Sequence, residues 1–216
     1  MCAFVGSSGV GARASAQYAL GRAGLRCVGG ASATAVAARG KRSARAATSV
    51  ARANAAAIRM ASLADVKGMS DLDGNPVDFA SLNGKVVLAM NVACACGYTK
   101  SGYSMVSSIA SKLGDKVRVV CFPSNDFGAQ EPGSPEEIKS FVSSKFNSPD
   151  LLLMEKSHVK GSQANPVFKL AKEAGLGEPK WNFDGKFVFD KTGKPVVRLD
   201  NSATESDILA AVQKYL

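Results

Sequence analysis

Two apolar runs rich in valine stand out in the middle of the chain: KVVLAMNVA (Lys85 to Ala93) and KVRVVCF (Lys116 to Phe122). Uninterrupted apolar runs of this length, bounded by turn residues, are typical of strands buried on both faces. Between them, Tyr98 to Leu113 repeats apolar residues at three- and four-residue spacing, which predicts a helix. The three segments together predict a strand–helix–strand unit with two parallel strands.

Further along the chain the pattern predicts a short strand at LLLMEK and a hairpin at FDGKFVFDKTGKPVVRL, which turns at Lys191-Thr192-Gly193. A hairpin added to a parallel unit gives a mixed sheet. We therefore expect an α/β fold in which a central mixed β-sheet is flanked by helices.

Three further helices are predicted from their apolar spacing and their capping residues. The first, SPEEIKSFVSSKF, has Ser134 as N-cap and Glu137 as the partner in a capping box. The second runs from Asn165 to Ala174, with a proline at its start. The last runs from Ala203 to Leu216, with a capping box predicted from Ser202 and Glu205.

The charge is concentrated at the N-terminus. Met1 to Met60 holds nine basic residues and no acid, and the first acid is Asp65. Because the whole chain has a formal net charge of +9, the remainder is neutral. Arg-rich, Ser-rich, acid-free N-termini are typical of organelle transit peptides. We therefore expect residues 1–60 to be a disordered transit peptide that is removed, with a plastid preferred to a mitochondrion, and residues 61–216 to form the domain. A disordered tail that stays attached is the alternative.

Composition also excludes several classes of function. His158 is the only histidine, which disfavours metal sites and Ser-His-Asp catalysis, so no metal is expected. No apolar run of about 18 residues occurs, so no integral membrane segment is expected. Since the basic charge sits on the segment expected to be removed, no nucleic-acid partner is expected.

Cys96 is the strongest candidate for a reactive group. It lies where a buried strand ends and a helix begins, at the sheet edge where α/β proteins bind ligands. The free N–H groups at the start of a helix stabilise a thiolate. The alternative is an inert buried cysteine, the commoner state of a free thiol.

An activated cysteine without histidine needs other hydrogen-bond donors. Gln130 lies in the loop after the second buried strand, and Trp181 and Asn182 lie just before the hairpin. Amide and indole N–H groups can all donate to a thiolate. Taken singly, however, Trp181 is as well explained as a core aromatic, and Gln130 and Asn182 as surface turn residues.

Four blocks in order resemble the glutathione peroxidase family: GKVVLAMNVACACGYT, FPSNDFGAQEPG, VKGSQANPVF and PKWNF. The resemblance covers nearly all of residues 62–216. It implies a thioredoxin-like fold and a peroxidatic cysteine at Cys96, with Gln130, Trp181 and Asn182 completing a catalytic tetrad. The implied activity is reduction of hydrogen peroxide and of organic or lipid hydroperoxides, in oxidative-stress defence. The implied reductant is glutathione or thioredoxin, with no other cofactor.

Several positions depart from the family pattern. Plant-like members have a resolving cysteine where this chain has Ser143, and Cys94 stands where the family usually has serine. The insertion of the tetrameric animal enzymes is missing, since only 12 residues separate Phe168 from Trp181. We therefore expect a monomer or weak dimer with an open site that admits lipid hydroperoxides.

Without a cysteine at position 143, oxidised Cys96 can be reduced by three routes. Cys94 is close in sequence but would form a strained disulfide. Cys121 lies on the neighbouring strand, but the sequence does not say on which face. The third route, direct attack by a small thiol, is preferred, so glutathione is favoured over thioredoxin.

Other classes of function remain open from the sequence. A peroxide sensor or relay would pass oxidation to a partner protein. A thiol-disulfide oxidoreductase would use Cys94 and Cys96 as a redox pair, and a non-catalytic binding domain would not need the tetrad.

Overall fold

The structure of the protein, a computed structural model, describes residues 62–148 and 150–216. The predicted transit peptide, residues 1–60, and its processing lie outside the described residues.

Five strands form one mixed sheet, as the apolar pattern predicted. The strands are β1 (Val86–Val92), β2 (Val117–Pro123), β3 (Leu151–Leu153), β4 (Lys186–Phe189) and β5 (Pro195–Leu199). Their order across the sheet is β3-β2-β1-β4-β5. β1 pairs with β2, and β2 with β3, in parallel, whereas β4 pairs antiparallel with both β1 and β5.

The central strand β1 is buried along its whole length because both of its faces are covered. Side chains alternate between the faces. Val87 and Ala89 pack into one cluster with Phe122 and Phe168, whereas Leu88 and Met90 pack into the other. The absence of polar alternation in this segment follows from two-sided burial.

Four α-helices complete the described fold: α1 (Thr99–Leu113), α2 (Pro135–Phe146), α3 (Pro166–Glu173) and α4 (Glu205–Gln213). The helix α1 lies in the βαβ unit and packs its apolar residues Tyr103, Val106 and Ile109 on the sheet. The predicted capping box of α2 is present, with Ser134 and Glu137 exchanging hydrogen bonds.

The prediction for the last helix was wrong in its bounds and its cap. The helix starts at Glu205 and not at Ala203, and its capping box joins Thr204 to Asp207. Ser202 is already engaged, since its N–H and hydroxyl both donate to the Asp200 carboxylate. Glu205 instead accepts hydrogen bonds from the Ser108 hydroxyl and the Lys112 ammonium on α1. The sequence contains two overlapping capping patterns, Ser202 with Glu205 and Thr204 with Asp207. The second pattern forms because the Asp200 carboxylate already binds Ser202.

The predicted strand LLLMEK is also shorter than expected. β3 ends at Leu153, and Met154 forms an isolated bridge with Asp71. The chain there leaves the sheet to pair with the turn around residues 70–76, so only the first half of the predicted strand forms ladder pairs.

Candidate active site

Cys96 lies in the loop between β1 and α1, as predicted. The Thr99 hydroxyl fixes this loop, since it donates to the Ala93 carbonyl at 2.7 Å and accepts the Cys96 N–H at 3.0 Å. Cys96 is partly exposed and borders the apolar cluster on the α1 side of the sheet. The thiol is therefore accessible on a loop whose backbone is anchored.

Gln130 is held next to this loop by its backbone. The Ala95 N–H donates to the Gln130 carbonyl at 3.0 Å, one residue before Cys96. Two residues with positive φ, Gly128 at 64° and Ala129 at 49°, turn the chain so that Gln130 faces the cysteine loop. Because alanine is disfavoured in this region, the turn carries local strain that its surroundings sustain.

Asn182 is fully buried and contacts Gln130 directly. Its amide Nδ2 donates to Gln130 Oε1 at 2.9 Å and to the Phe127 carbonyl at 3.2 Å. These bonds occupy both amide hydrogens of Asn182, and the Nε2 group of Gln130 has no hydrogen-bond partner within the described ranges, so it can donate to a ligand. The alternative interpretation of Asn182 as a surface turn residue is thus wrong.

Trp181 is exposed over 41% of its surface, so it is not a core aromatic. Its ring packs against Phe127 with centroids 5.9 Å apart. Its indole N–H has no hydrogen-bond partner within residues 62–148 and 150–216, so this donor is available to a ligand.

A buried asparagine that the sequence analysis missed holds the Trp181 loop, residues 179–185, against the sheet. The Asn91 amide Nδ2 donates to the Trp181 carbonyl at 2.9 Å, and Asn91 Oδ1 accepts the Gly185 N–H at 2.8 Å. Asn91 is completely buried in β1. The signal was a single amide inside an otherwise apolar strand, because buried polar groups need partners.

The Trp181 loop is also locked to α1. Phe183 has a φ of 64°, and its ring occupies the space over Gly102, where an added Cβ would lie 2.3 Å from the ring. The buried ammonium of Lys186 donates to the Phe183 carbonyl at 2.6 Å and to the Asp200 carbonyl at 2.8 Å. The backbone that carries Trp181 and Asn182 is therefore fixed from two sides.

The two other described thiols are poor nucleophiles. Burial raises the pKa of Cys121 to about 12, and its side chain is inaccessible within the α1-side cluster. Burial first, and then the Glu131 carboxylate, raise the pKa of Cys94 above its usual range. Burial likewise raises the pKa of Glu131, although the nearby Cys94 thiol and N–H oppose this effect. Neither oxygen of this fully buried carboxyl makes a hydrogen bond of normal geometry.

The only histidine does not form a pair with Cys96. His158 Nδ1 lies 2.6 Å from Asp126 Oδ1, while Asp126 Oδ2 accepts the Val159 N–H at 2.8 Å. This pairing joins the Gln130 loop to the segment before α3. Asp126 and His158 therefore have a structural role beside the site.

Of the predicted site residues, Gln130 and Asn182 are in direct contact, and the Gln130 backbone contacts the cysteine loop. Within the described part of the chain, the Cys96 thiol makes no hydrogen bond to Gln130, Trp181 or Asn182. No cluster of three or more potential metal ligands occurs among these residues. None of the described helices is long and apolar enough to cross a membrane.

Sequence comparison supports the resemblance. The glutathione peroxidase family profile matches residues 66–172. A putative glutathione peroxidase 7, chloroplastic, of Arabidopsis thaliana is 39% identical, covering 68% of this chain and 65% of its own length. A probable phospholipid hydroperoxide glutathione peroxidase of Nicotiana sylvestris is 37% identical, covering 68% of this chain and 89% of its own length.

Solved structures support the fold. The crystal structure of T. cruzi GPX1 matches with a TM-score of 0.56 and 29% identity, covering 72% of this chain and 96% of its own. A thioredoxin family thiol:disulfide interchange protein from Chlorobium tepidum matches with a TM-score of 0.52 at 14% identity, covering 72% and 97%. The predicted thioredoxin-like fold is confirmed. The chain belongs to the glutathione peroxidase family and is an oxidoreductase of the peroxidase class.

Proposed function

We propose that this protein is a thiol-dependent peroxidase that reduces hydrogen peroxide and lipid hydroperoxides at Cys96. The single observation that carries the proposal is the position of Cys96. It is a partly exposed thiol on an anchored loop at the start of a long helix, and the Gln130–Asn182 pair is bonded to the same loop. Family membership supports the reaction class.

In the oxidation step, the Cys96 thiolate attacks the terminal peroxide oxygen. The S–O bond forms as the O–O bond breaks, and the leaving oxygen takes a proton and departs as water or an alcohol. Cys96 becomes a sulfenic acid. The free Gln130 Nε2 and Trp181 indole N–H groups stabilise the charge that moves onto oxygen, and Asn182 orients Gln130.

In the reduction step, a glutathione thiolate attacks the sulfenic sulfur as the S–O bond breaks. The leaving oxygen takes a proton and departs as water, and a mixed disulfide forms. A second glutathione attacks the glutathione sulfur, which releases the Cys96 thiolate and glutathione disulfide. The raised pKa values of Cys94 and Cys121 support this external route, because both thiols are protonated at neutral pH and attack slowly. Glutathione is therefore preferred to thioredoxin, and no further cofactor is required.

Exposed aromatic residues near Cys96 support bulky substrates. Tyr98 and Trp181 are the large apolar residues most exposed in the described region, at 46% and 41%. Both lie beside the site, where they can contact a lipid chain. The name of the Nicotiana relative, which refers to phospholipid hydroperoxides, points to the same substrate class.

The cellular setting is proposed from the sequence and the relatives. The Arabidopsis relative is named as chloroplastic, which supports a plastid over a mitochondrion and import through residues 1–60. We propose a role in oxidative-stress defence there, as a monomer or weak dimer. N-terminal sequencing of protein from its native cell should begin near Ala61, and an intact N-terminus would contradict processing.

The peroxidase proposal is tested with Cys96→Ser and the matched variant Cys121→Ser. Peroxide consumption with glutathione should disappear in the first and persist in the second, while both retain the wild-type circular dichroism spectrum. Turnover by Cys96→Ser close to that of the wild type would refute the assignment. Disulfide mapping after one equivalent of peroxide should find Cys96 as a sulfenic or overoxidised acid. A dominant bridge to Cys94 or Cys121 would contradict the external route.

A further inference from the structure

A cleft beside Cys96, between α1 and α2, is not used by the proposed chemistry at the peroxide. It has a volume of about 440 Å³ and lies in the size range of small-molecule sites. We call it the lysine cleft, and its lining includes the two thiols Cys94 and Cys96 together with Lys100, Ser104, Phe141, Lys145 and Phe146. Cys96 thus lies at the wall of a cavity large enough for a small peptide.

The lysine cleft is positively charged. Lys100 and Lys145 contribute two ammonium groups from the two facing helices, and no Asp or Glu lines the cavity. Neither lysine forms an ion pair or a side-chain hydrogen bond within the described residues. Other lysines in this region are paired, such as Lys112 with Glu205 and Lys139 with Asp73. The two ammonium groups are therefore available to an anionic ligand.

The remaining walls fit a peptide rather than an ion alone. Phe141 and Phe146 pack 6.0 Å apart and supply an apolar surface, and the Ser104 hydroxyl is not engaged by any described residue. A ligand that matches this cleft carries carboxylates at a distance from a thiol, with short peptide groups between them. Glutathione, with two carboxylates and one central thiol, has this chemistry.

We propose that the lysine cleft binds the reducing thiol, with Lys100 and Lys145 holding the carboxylates of a glutathione-like peptide so that its sulfur faces Cys96. The inference rests on the proposed peroxidase function. It assigns the thiol and the peroxide to different sides of Cys96. The peroxide meets Gln130 and Trp181, whereas the thiol enters between the helices.

The first test measures binding without turnover. S-Methylglutathione, which cannot reduce Cys96, is titrated calorimetrically into the wild type, Lys100→Gln/Lys145→Gln and the matched control Lys116→Gln/Lys214→Gln. The control removes two exposed lysines from elsewhere on the surface, neither of which pairs with another residue in the described part of the chain. We expect the Kd to rise about 5- to 30-fold in the cleft variant only, since exposed charge pairs contribute up to about 1 kcal/mol each.

The second test measures reduction of peroxide-oxidised protein by glutathione, by glutathione monoethyl ester and by uncharged dithiothreitol. In Lys100→Gln/Lys145→Gln, the rate constant for glutathione divided by that for dithiothreitol should fall by about the same factor as binding does. The rate constant for the ester divided by that for dithiothreitol should fall by less, because the ester has one carboxylate fewer. An unchanged ratio, or equal S-methylglutathione binding by both variants, would overturn the inference. Slower oxidation by an anionic phospholipid hydroperoxide with an unchanged ratio would also overturn it, since the lysines would then hold a lipid.

The two proposals fail in different ways. Wild type that consumes peroxide with dithiothreitol but binds no S-methylglutathione keeps the peroxidase proposal and rejects the lysine cleft as the thiol site. Protein that binds S-methylglutathione through the lysines but consumes no peroxide with any thiol supports the site and rejects the peroxidase proposal.

Discussion

The two sides of Cys96 are built in different ways. On one side, which we call the donor side, Gln130, Trp181 and Asn182 sit on loops held by buried hydrogen bonds. On the other side, the lysine cleft has exposed ammonium groups without described partners and an apolar wall. A rigid set of donors suits charge that develops over short distances in a transition state. Long, unpaired side chains suit a ligand that must bind and leave in each cycle.

This contrast also explains where buried polar groups occur. Asn91, Asn182 and Lys186 are all buried, and each holds part of the Trp181 loop or its partner. Burying an amide or ammonium is costly unless it is hydrogen-bonded. Here the cost is offset by the bonds that fix the backbone carrying Trp181. The lysine cleft has no comparable network, so substitutions there should affect binding far more than folding.

The largest expected effect comes from removing donors. Gln130→Ala and Trp181→Phe should each slow oxidation of Cys96 by roughly 10²–10³, the typical cost of losing one donor to a developing anion. Reduction of the oxidised enzyme by glutathione should change much less. Single-turnover oxidation and reduction are followed separately by mass spectrometry. The control Gln163→Ala removes an exposed glutamine outside the site. If both steps slowed equally, the two sides would not be functionally distinct.

The next effect tests how the donor side is locked. Gly102→Ala places a methyl group 2.3 Å from the Phe183 ring, so the ring and the Trp181 loop must shift. We expect a loss of about 1–3 kcal/mol in the free energy of unfolding, as for other overpacked sites, together with slower oxidation. Chemical denaturation and single-turnover oxidation measure the two effects.

Gly97→Ala is the matched control for stability. Gly97 has open space around the Cβ position and an ordinary φ, so its unfolding free energy should stay within about 0.5 kcal/mol of the wild type. Equal stability of the two variants would show that Phe183 is not held by Gly102.

An effect of similar size tests the amide in β1. Asn91→Asp keeps the shape and the acceptor for the Gly185 N–H, but it replaces the donor to the Trp181 carbonyl with an oxygen. We expect a loss of at least about 1 kcal/mol in the free energy of unfolding, because the Trp181 carbonyl loses its donor and the new carboxyl group is itself buried. The exposed Asn83→Asp is the control. A variant as stable as that control would show that Asn91 does not hold the loop.

The sequence predicted the strands and helices better than it predicted the residues that hold the Trp181 loop in place. The all-apolar β1 and the spacing in α1 were sufficient for the βαβ unit, because two-sided burial and helical period leave local patterns. The assignment of Gln130 and Trp181 to the catalytic site followed only from the resemblance, since each has an ordinary structural explanation alone. Asn91 and Gly102 were missed because their partners, Trp181 and Phe183, are some 80 to 90 residues away in sequence. The face taken by Cys121 likewise depends on strand register.

The smallest expected effect is a pH dependence of the free energy of unfolding that arises on the donor side only. Burial raises the pKa of Asp126, but the Val159 N–H and the His158 ring outweigh it, so that the pKa is lowered overall. A carboxylate with a lowered pKa stabilises the fold above its unfolded value of about 3.9, and this contribution is lost as the pH falls through the folded value. Acid should therefore loosen the link between the Gln130 loop and the segment before α3. No Asp or Glu lines the lysine cleft, so no carboxylate there is protonated as the pH falls.

Asp126→Asn isolates this contribution. Asparagine can still accept the Val159 N–H through its side-chain oxygen, but it does not ionise. Wild type should exceed the variant by about 1 kcal/mol in unfolding free energy at pH 6, in keeping with one charge-assisted hydrogen bond, and the difference should shrink as the pH falls below the unfolded value of about 3.9. Urea denaturation at a series of pH values measures it. A difference independent of pH would mean that shape, and not charge, makes Asp126 stabilising.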